Sequence, residues 1–366
     1  MRKACFWLLG ILLLAQSPFL YRLYRTWELV RFVSSLEETA AAVNSPFQDL
    51  PGVVHVHTAA GGHSLGTYPE VLDAARRLGL RYVFITEHPR RPALFREIED
   101  PEIVVLYGWE VERKDGGREL RTADDSLRIQ LLYELTEVPP EVAGVEVFNI
   151  AESARPCNGV LGWGTWLYHR IAFPDYFFFH CWRLDAAKLA FWDRGTSRRR
   201  LAGYAGNNAH QNVGLILTTA AGQRWIEVLV DPYELSFAFV TNHLQLPPGR
   251  AVDREAIVAA LREGAAYIAF EQVARPRGFY FAGVAEGKPV PPGAEAPAGS
   301  VLLAESPYRV RFRLLWNGQE ALVLDGRRME YVAETPGAYR LEVYFPNAPA
   351  LLAGRPWILT NPVYVR

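Results

Sequence analysis

Lysine is almost missing from this chain of 366 residues: Lys3, Lys114, Lys188 and Lys288 are all there are, so arginine carries nearly the whole basic side. Cysteine is scarce as well. Cys5, Cys157 and Cys181 show no C-x-x-C spacing, which excludes a structural zinc knuckle and a disulfide-stapled scaffold. Cys157 and Cys181 read by default as free thiols, or as one disulfide if the domain is exported. Neither charge sign dominates, since 39 basic residues meet 40 acidic ones for a net charge of −1. With no global field to steer it onto a polyanion, nucleic acid is excluded as a partner. A Walker loop and a Ser-His-Asp arrangement are missing, and Gly162-Trp163-Gly164 lacks the third glycine of a dinucleotide loop. Apolar residues are plentiful. Half the chain is hydrophobic and 22% is charged, which excludes disorder. At roughly 150 residues per domain the length allows two or three units.

Residues 5–21 carry no charge and follow Arg2 and Lys3. As a helix this run spans about 25 Å, a little less than a hydrocarbon core of about 30 Å. Arg22, Arg25 and Arg31 then alternate with Tyr21, Tyr24 and Trp27, the side chains that anchor at a membrane interface. Leu29, Val33, Leu36, Ala40 and Val43 recur at four-three-four-three spacing, so a helix continues beyond the run. A cleavable signal ending near Ala15-Gln16-Ser17 and a buried N-terminal helix are the competing readings. Pro18 directly after the cut disfavours the first. The expectation is a single membrane anchor over residues 1–45, at the cell membrane, with the remaining chain on the extracytoplasmic side.

Residues 46–285 alternate short apolar runs with amphipathic stretches, the pattern of an α/β fold. Residues 53–57 predict a strand. Thr67-Tyr68-Pro69-Glu70 predicts a capping box, Val71, Leu72, Ala75 and Leu78 the buried face of its helix, and Gly79 the stop. Residues 82–86 predict the next strand, and 253–262 a second helix stopped by Gly264. After a Pro/Gly/Ala/Glu-rich connector at 284–300, the period changes to two. Tyr308, Val310, Phe312, Leu314 and Trp316 alternate with arginines, and Asn317-Gly318 predicts a hairpin turn. Residues 286–366 are therefore expected to form a small antiparallel β-sandwich.

Six chemistry-bearing side chains fall at strand ends of the α/β region. His55 and His57 lie one residue apart on a strand and so share a face. His63 follows in a loop behind Gly61-Gly62, His88 ends the next strand, Glu110 ends another, and His210 follows residues 201–205. The C-terminal ends of strands are where α/β barrels keep their chemistry. Imidazoles with a carboxylate suit zinc, iron or manganese. Arg90 and Arg91 are further candidates to face a substrate anion. His180 lies in an aromatic run and reads mainly as core; His169 and His243 read as ordinary.

The stretch GVVHVHTAAGGHSLGTYPEVLDAARRLGLRYVFITEH, residues 52–88, resembles the first motifs of the PHP (polymerase and histidinol phosphatase) superfamily. GWE at 108–110, GVEVFN at 144–149 and AGNNAHQN at 205–212 resemble its later motifs in the same order, and WILTNPVYV at 357–365 is similar to the extra β domain of its carbaryl-hydrolase-like branch. The resemblance implies a distorted seven-stranded, TIM-like (β/α) barrel holding divalent transition metals, with phosphate-ester hydrolysis as the usual chemistry. On the matching positions, His55 and His57 hold one ion, His63, His88 and His210 another, and Glu110 bridges. The chain departs from the pattern where Asn208 replaces the aspartate of Asp-Ala-His, removing a negative ligand. It also departs between His88 and His169, where no histidine occurs and Arg118 stands in about the place of one. The implied count is therefore one or two ions of Zn, Mn or Fe.

The function so implied is a membrane-anchored phosphoesterase acting on a small phosphate ester or similar ester through metal-activated water. Glu110 and Arg118 are its candidate catalytic side chains. Arg118 would grip a substrate anion, or else pair with Asp115 or Glu119 on a surface loop. The alternative function is a degenerate barrel that keeps metal and serves as a ligand-binding or interaction module.

Overall fold

The computed structural model describes residues 2–89, 100–155, 159–219 and 224–366. Helix α1 (Arg2–Glu38) carries Pro18 within it. Its second half docks on the body through Thr26, Leu29 and Leu36, whereas Trp7, Leu14 and Leu20 in its first half are exposed. Among the described residues no helix is long and apolar enough to cross a membrane, so the span expected at 5–21 gains no support from the fold. The helix also stops short of Val43. The Thr39 amide and hydroxyl both bond the Leu36 carbonyl, and Ala41 N–H goes to the Pro307 carbonyl. The backbone leaves the helix there to bind the C-terminal strands.

Seven strands close a barrel: β1 (Gln48–Val56), β2 (Tyr82–Glu87), β3 (Val104–Glu112), β4 (Arg118–Thr122), β5 (Arg128–Leu131), β6 (Gly144–Asn149) and β7 (Ala202–Ala209). The neighbours β1–β2, β2–β3, β5–β6, β6–β7 and β7–β1 are parallel. The β3–β4 and β4–β5 pairs are antiparallel. Two of the expected (β/α) steps are thus hairpins, because the five residues after Glu112 fold into a turn closed by Arg113 N–H on the Gly117 carbonyl.

The helix expected within 53–86 forms with the expected start and stop. Helix α2 (Tyr68–Leu78) starts at Thr67, whose amide and hydroxyl both donate to Glu70 Oε2, and ends at Gly79 in the left-handed conformation. Between β6 and β7 lie α3 (Ile150–Ala154), α4 (Val160–Ala172) and α5 (Ala186–Thr196). Gly162 and Gly164 therefore sit inside a helix. After β7 come a separate hairpin of β8 (Gly214–Thr218) and β9 (Arg224–Leu229), then α6 (Tyr233–Phe239), β10 (Thr241–Leu246), α7 (Arg254–Glu263) and β11 (Ala266–Ala269). Asp253 caps α7 and Gly264 ends it.

Strand β10 pairs with the first half of β1, β11 with β10, and Ile358–Thr360 with β11. The sheet thus leaves the barrel and runs into the C-terminal strands. There Ser300–Trp316 and Gln319–Ala333 pair through Asn317 and Gly318, both at positive φ, the two-residue turn whose twist matches the strands. One apolar cluster reaches from Leu29 of α1 through Phe148 and Trp182 to Trp357. Cys181 is disulfide-bonded, which overturns the free-thiol expectation for it; Cys157 lies outside the described residues.

His243, read from sequence as ordinary, is a buried cation. Its Nδ1 meets Asp49 and its Nε2 meets Glu271, each at 2.9 Å, with the Tyr267 ring stacked 4.7 Å away. Burial opposes the charge, but the two carboxylates outweigh it and push the imidazole up to about 10. A raised folded value means the stabilisation is full below the unfolded pKa of about 6.5 and is lost as pH climbs through the folded one. His243→Ala should lose about 3 kcal/mol near pH 6. In urea unfolding its deficit should shrink steadily from pH 6.5 to pH 10; a deficit independent of pH would show that the charge is not what holds this joint.

Candidate metal centre

Three backbone irregularities meet at the rim of the barrel. Strand β1 slips register between Val54 and Val56 against both of its parallel neighbours, and His55, the residue squeezed out, sits at φ 68. On β7, Gly206 pairs with Val54 and Ala209 with Val56, which leaves Asn207 and Asn208 unmatched, Asn208 at φ 44. Strand β6 shifts between Glu146 and Phe148. A left-handed non-glycine residue costs about 1–3 kcal/mol, and bulges re-aim side chains beside active sites. Simple alternation is therefore not what brings His55 and His57 together. The bulge delivers their rings to 5.1 Å of each other.

His57 is the hub. It is fully buried, with ring centroids of His210, His63 and His88 at 4.4, 4.6 and 5.3 Å. Two sets of side chains have ligand atoms mutually within 4.8 Å: His55, His57 and Glu110, and His57, His63 and His88. His57 belongs to both. His210 faces the same space, its Nε2 at 3.0 Å from Nε2 of His63. The side chains inferred as two separate ligand sets thus form one continuous cluster around His57, with Glu110 Oε2 at 3.2 Å from His55, 3.4 Å from His57 and 3.7 Å from His88.

Second partners orient these rings. His55 Nδ1 donates to Glu146 Oε2 at 2.6 Å, and Asn149 Nδ2 donates to the other Glu146 oxygen. Burial opposes a charge on His55, but Glu146 and Glu110 outweigh it and push the imidazole up to about 9, so Nε2–H points at Glu110 and an ion between the two would replace that proton. His210 Nδ1 donates to the Asn208 carbonyl at 2.8 Å, which frees its Nε2 for the cluster. Glu87 accepts both the amide and the hydroxyl of Thr58 and lies 3.9 Å from His57 Nδ1. Glu146 has room only because residue 206 is glycine, since a Cβ there would stand 1.7 Å from its Oε2.

Glu146 and Glu87 were missed in the reading of the sequence. The available signal was a glutamate inside a strand buried at every position, as both Gly144–Asn149 and Tyr82–Glu87 are. A charge in such a strand needs a partner.

The electrostatics suit a cation. Burial drives His57 well below the usual imidazole range, and burial with the neighbouring His63 lowers His210 to about 4. Both are neutral near pH 7, as ligands must be. Burial alone would raise Glu110, but His55 and His57 hold it ionised. Among the described residues neither ring nitrogen of His57 has a hydrogen-bond partner. A buried imidazole with both nitrogens unpaired is costly; a divalent ion would take the lone pair of one nitrogen, while the other keeps its N–H. Imidazoles plus one carboxylate are the donor set for zinc, manganese or iron.

The remaining candidates are placed as follows. Arg118 Nη1 lies 3.6 Å from Glu110 Oε1 and its guanidinium stands over the Tyr133 ring. Asp115 is bound by Arg113 instead. Half-exposed Arg118 therefore reaches the centre rather than the surface-loop partners considered for it. The Asn208 amide points to the Tyr133 hydroxyl and Asn149 Oδ1, at 3.4 and 3.5 Å. His180 is not brought to the cluster: with His169 it holds the Thr26 hydroxyl of α1. Arg90 and Arg91 lie outside the described residues.

Removing the carboxylate behind a metal-ligating imidazole costs about 10–100-fold in affinity. Glu146→Ala should therefore bind Mn²⁺ or Zn²⁺ 10–100-fold more weakly by calorimetric titration, and Glu146→Gln less so, since its amide oxygen still accepts from Nδ1. Equal affinity in all three proteins would remove Glu146 from the site.

The closed seven-strand barrel and the His/Glu cluster fit the PHP pattern that residues 52–88 resemble. No protein-family profile matches the chain, and no curated protein matches it. Solved structures similar to it include a two-domain protein containing a predicted PHP-like metal-dependent phosphoesterase from Bacteroides vulgatus. That protein shares 13% sequence identity, with 88% of this chain and 99% of that one covered at a TM-score of 0.36. At that level of likeness, the chemistry of the site follows from its own side chains.

Proposed function

We propose that this chain is a metal-dependent phosphoesterase of the PHP type, in the branch with additional C-terminal strands, acting on a phosphate ester at the cell membrane. The observation that carries the reading is His57: buried, neutral, unbonded at both nitrogens among the described residues, and common to two ligand sets. A divalent ion held there lowers the pKa of water and offsets the charge of a phosphoryl group. His55, His57 and Glu110 would hold one ion, and His57, His63, His88 and His210 surround the place of a second. Arg118, beside Glu110 and half-exposed, supplies a fixed positive charge for a non-bridging phosphate oxygen. Water adds to phosphorus, the ester P–O bond breaks, and the leaving alkoxide takes up a proton. The second reading, a binding module that keeps metal without turnover, is favoured by Asn208, whose neutral amide is turned toward Tyr133 and Asn149.

Elemental analysis of the purified chain should find one or two divalent ions. His88→Ala should lose about one of them, and His57→Ala should lose at least one and weaken the other, because His57 would ligate one ion and stands among the ligands of the other. Phosphate release from a panel of esters should fall at least 100-fold in His57→Ala. Native metal content with no turnover of any ester would favour the binding module.

The uncharged run at 5–21 and the interfacial residues after it support attachment. Arg31 lies over the Trp27 ring and Arg25 over that of Tyr21. The anchor is proposed to stay uncleaved, with the barrel extracytoplasmic. Expressed in bacteria, the chain should pellet with membranes, resist extraction by high salt and keep its own N-terminus. A salt-extractable protein, or one beginning near Pro18, would overturn the anchor.

A further inference from the structure

The wall of the metal centre on the His63–His210 side is more apolar than a small ionic ester requires. A cavity of about 310 Å³ opens there, within the range of small-molecule sites. One end presents His63, Asn208 and His210, and the rest of the wall is largely Ile150, Trp163, Trp166, Phe177 and Phe178. Asp231 is also in the wall, but its two oxygens accept the backbone amides of Asn212 and Val213.

Trp163 and Trp166 wall a second, more open cavity as well, which reaches Phe19 on α1 and Val160 and Leu167 on α4. Beyond it, hydrocarbon faces solvent. Val160 is 87% exposed and Ile171 85%, with Trp163 and Leu167 about half exposed between them, a spacing that puts all four on one face of α4. Helix α1 lies alongside, fixed by Arg22 on the Thr165 hydroxyl and by the Phe19 ring stacked on Tyr168. It too exposes Leu14, Leu20 and Tyr21. Apolar surface on this scale marks an interaction site. The Arg/Tyr/Trp pairs at its margin are those of a lipid interface.

We propose that the substrate is an amphiphilic phosphate ester taken from the lipid surface, its hydrocarbon tail lying between Trp163, Trp166 and Phe178 and its phosphate at the His63–His210 end. This rests on the phosphoesterase reading above. Water adds to phosphorus, the P–O bond to the tail-bearing alcohol breaks, that oxygen takes a proton, and inorganic phosphate leaves. Each buried methylene contributes roughly a fourfold gain, so a few of them separate a lipid phosphate from its headgroup alone.

The test uses the full-length, metal-loaded chain with glycerol 3-phosphate and with 1-acyl-glycerol 3-phosphate in phosphatidylcholine vesicles. The acyl ester should show a kcat/KM at least 100-fold higher, and Trp166→Ala should cut the ratio between the two at least tenfold. Independently of turnover, a monomeric alkyl phosphate brominated in its chain should quench tryptophan emission of the metal-free protein saturably, with most of that quenching gone in Trp163→Ala/Trp166→Ala. Equal turnover of both esters without saturable quenching overturns the tail site and leaves the phosphoesterase standing. Saturable quenching with no hydrolysis of any ester upholds the tail site and overturns the phosphoesterase. Quenching unchanged in the double variant also overturns the proposal, because the tail would then lie elsewhere.

Discussion

Five imidazoles and a carboxylate share one space, with His55, His57 and Glu110 buried and His63, His88 and His210 half-buried, and neutral His57 at its middle has Glu110 Oε2 no nearer than 3.4 Å. Protonation is blocked by burial and by the neighbouring rings. A metal cation, which takes a lone pair and brings no proton, would suit such a ring. The rest of the barrel serves this constraint. Glu110 stays ionised against burial because His55 and His57 face it, Glu146 accepts from His55 Nδ1, and the Asn208 carbonyl makes His210 Nδ1 the donor so that its Nε2 remains a lone pair. Such outer partners fix tautomer and orientation, and through them the geometry offered to an ion.

Backbone strain is the means by which the barrel meets that demand. A regular β1 would leave its ladders with both parallel neighbours intact and keep His55 within them. The bulge at φ 68 gives up local pairing, and the matching slips in β6 and β7 absorb the mismatch. Gly206 contributes by what it lacks, since any Cβ would occupy the place of the Glu146 carboxylate. The cost of about 1–3 kcal/mol for the left-handed histidine is small beside the apolar core that surrounds it.

The apolar side of the site depends on a different polar joint. His169 Nδ1 donates to the Thr165 carbonyl, so its Nε2 accepts from the Thr26 hydroxyl, and His180 Nε2 then donates to that same oxygen. One threonine of α1 is thereby held by α4 and by the segment after it. This joint, with Phe19 seated over Gly164, sets the first helix beside the tryptophans that line the cavity. The histidine left over from the metal pattern, His180, thus fastens the N-terminal helix.

Much of the barrel was readable in one dimension. The capping box at Thr67 and Glu70, the stops at Gly79 and Gly264 and the Asn317-Gly318 turn act over a few residues, so neighbours along the chain determine them. The residue types for a metal centre were legible for the same reason: His55 and His57 mark one strand end with His63 in the loop after it, and His88, Glu110 and His210 each fall at or near another. What tertiary structure decided was how these groups share space. That His57 belongs to two ligand sets, that Arg118 turns to Glu110, that Glu146 and Glu87 stand behind the histidines, and that His243 is a charged joint all depend on partners brought in from other strands or loops. Periodicity reports which face a side chain takes, but a bulge, a buried ion pair or a shared lone pair arises only when separate strands meet, because its energy belongs to the contact and not to either segment.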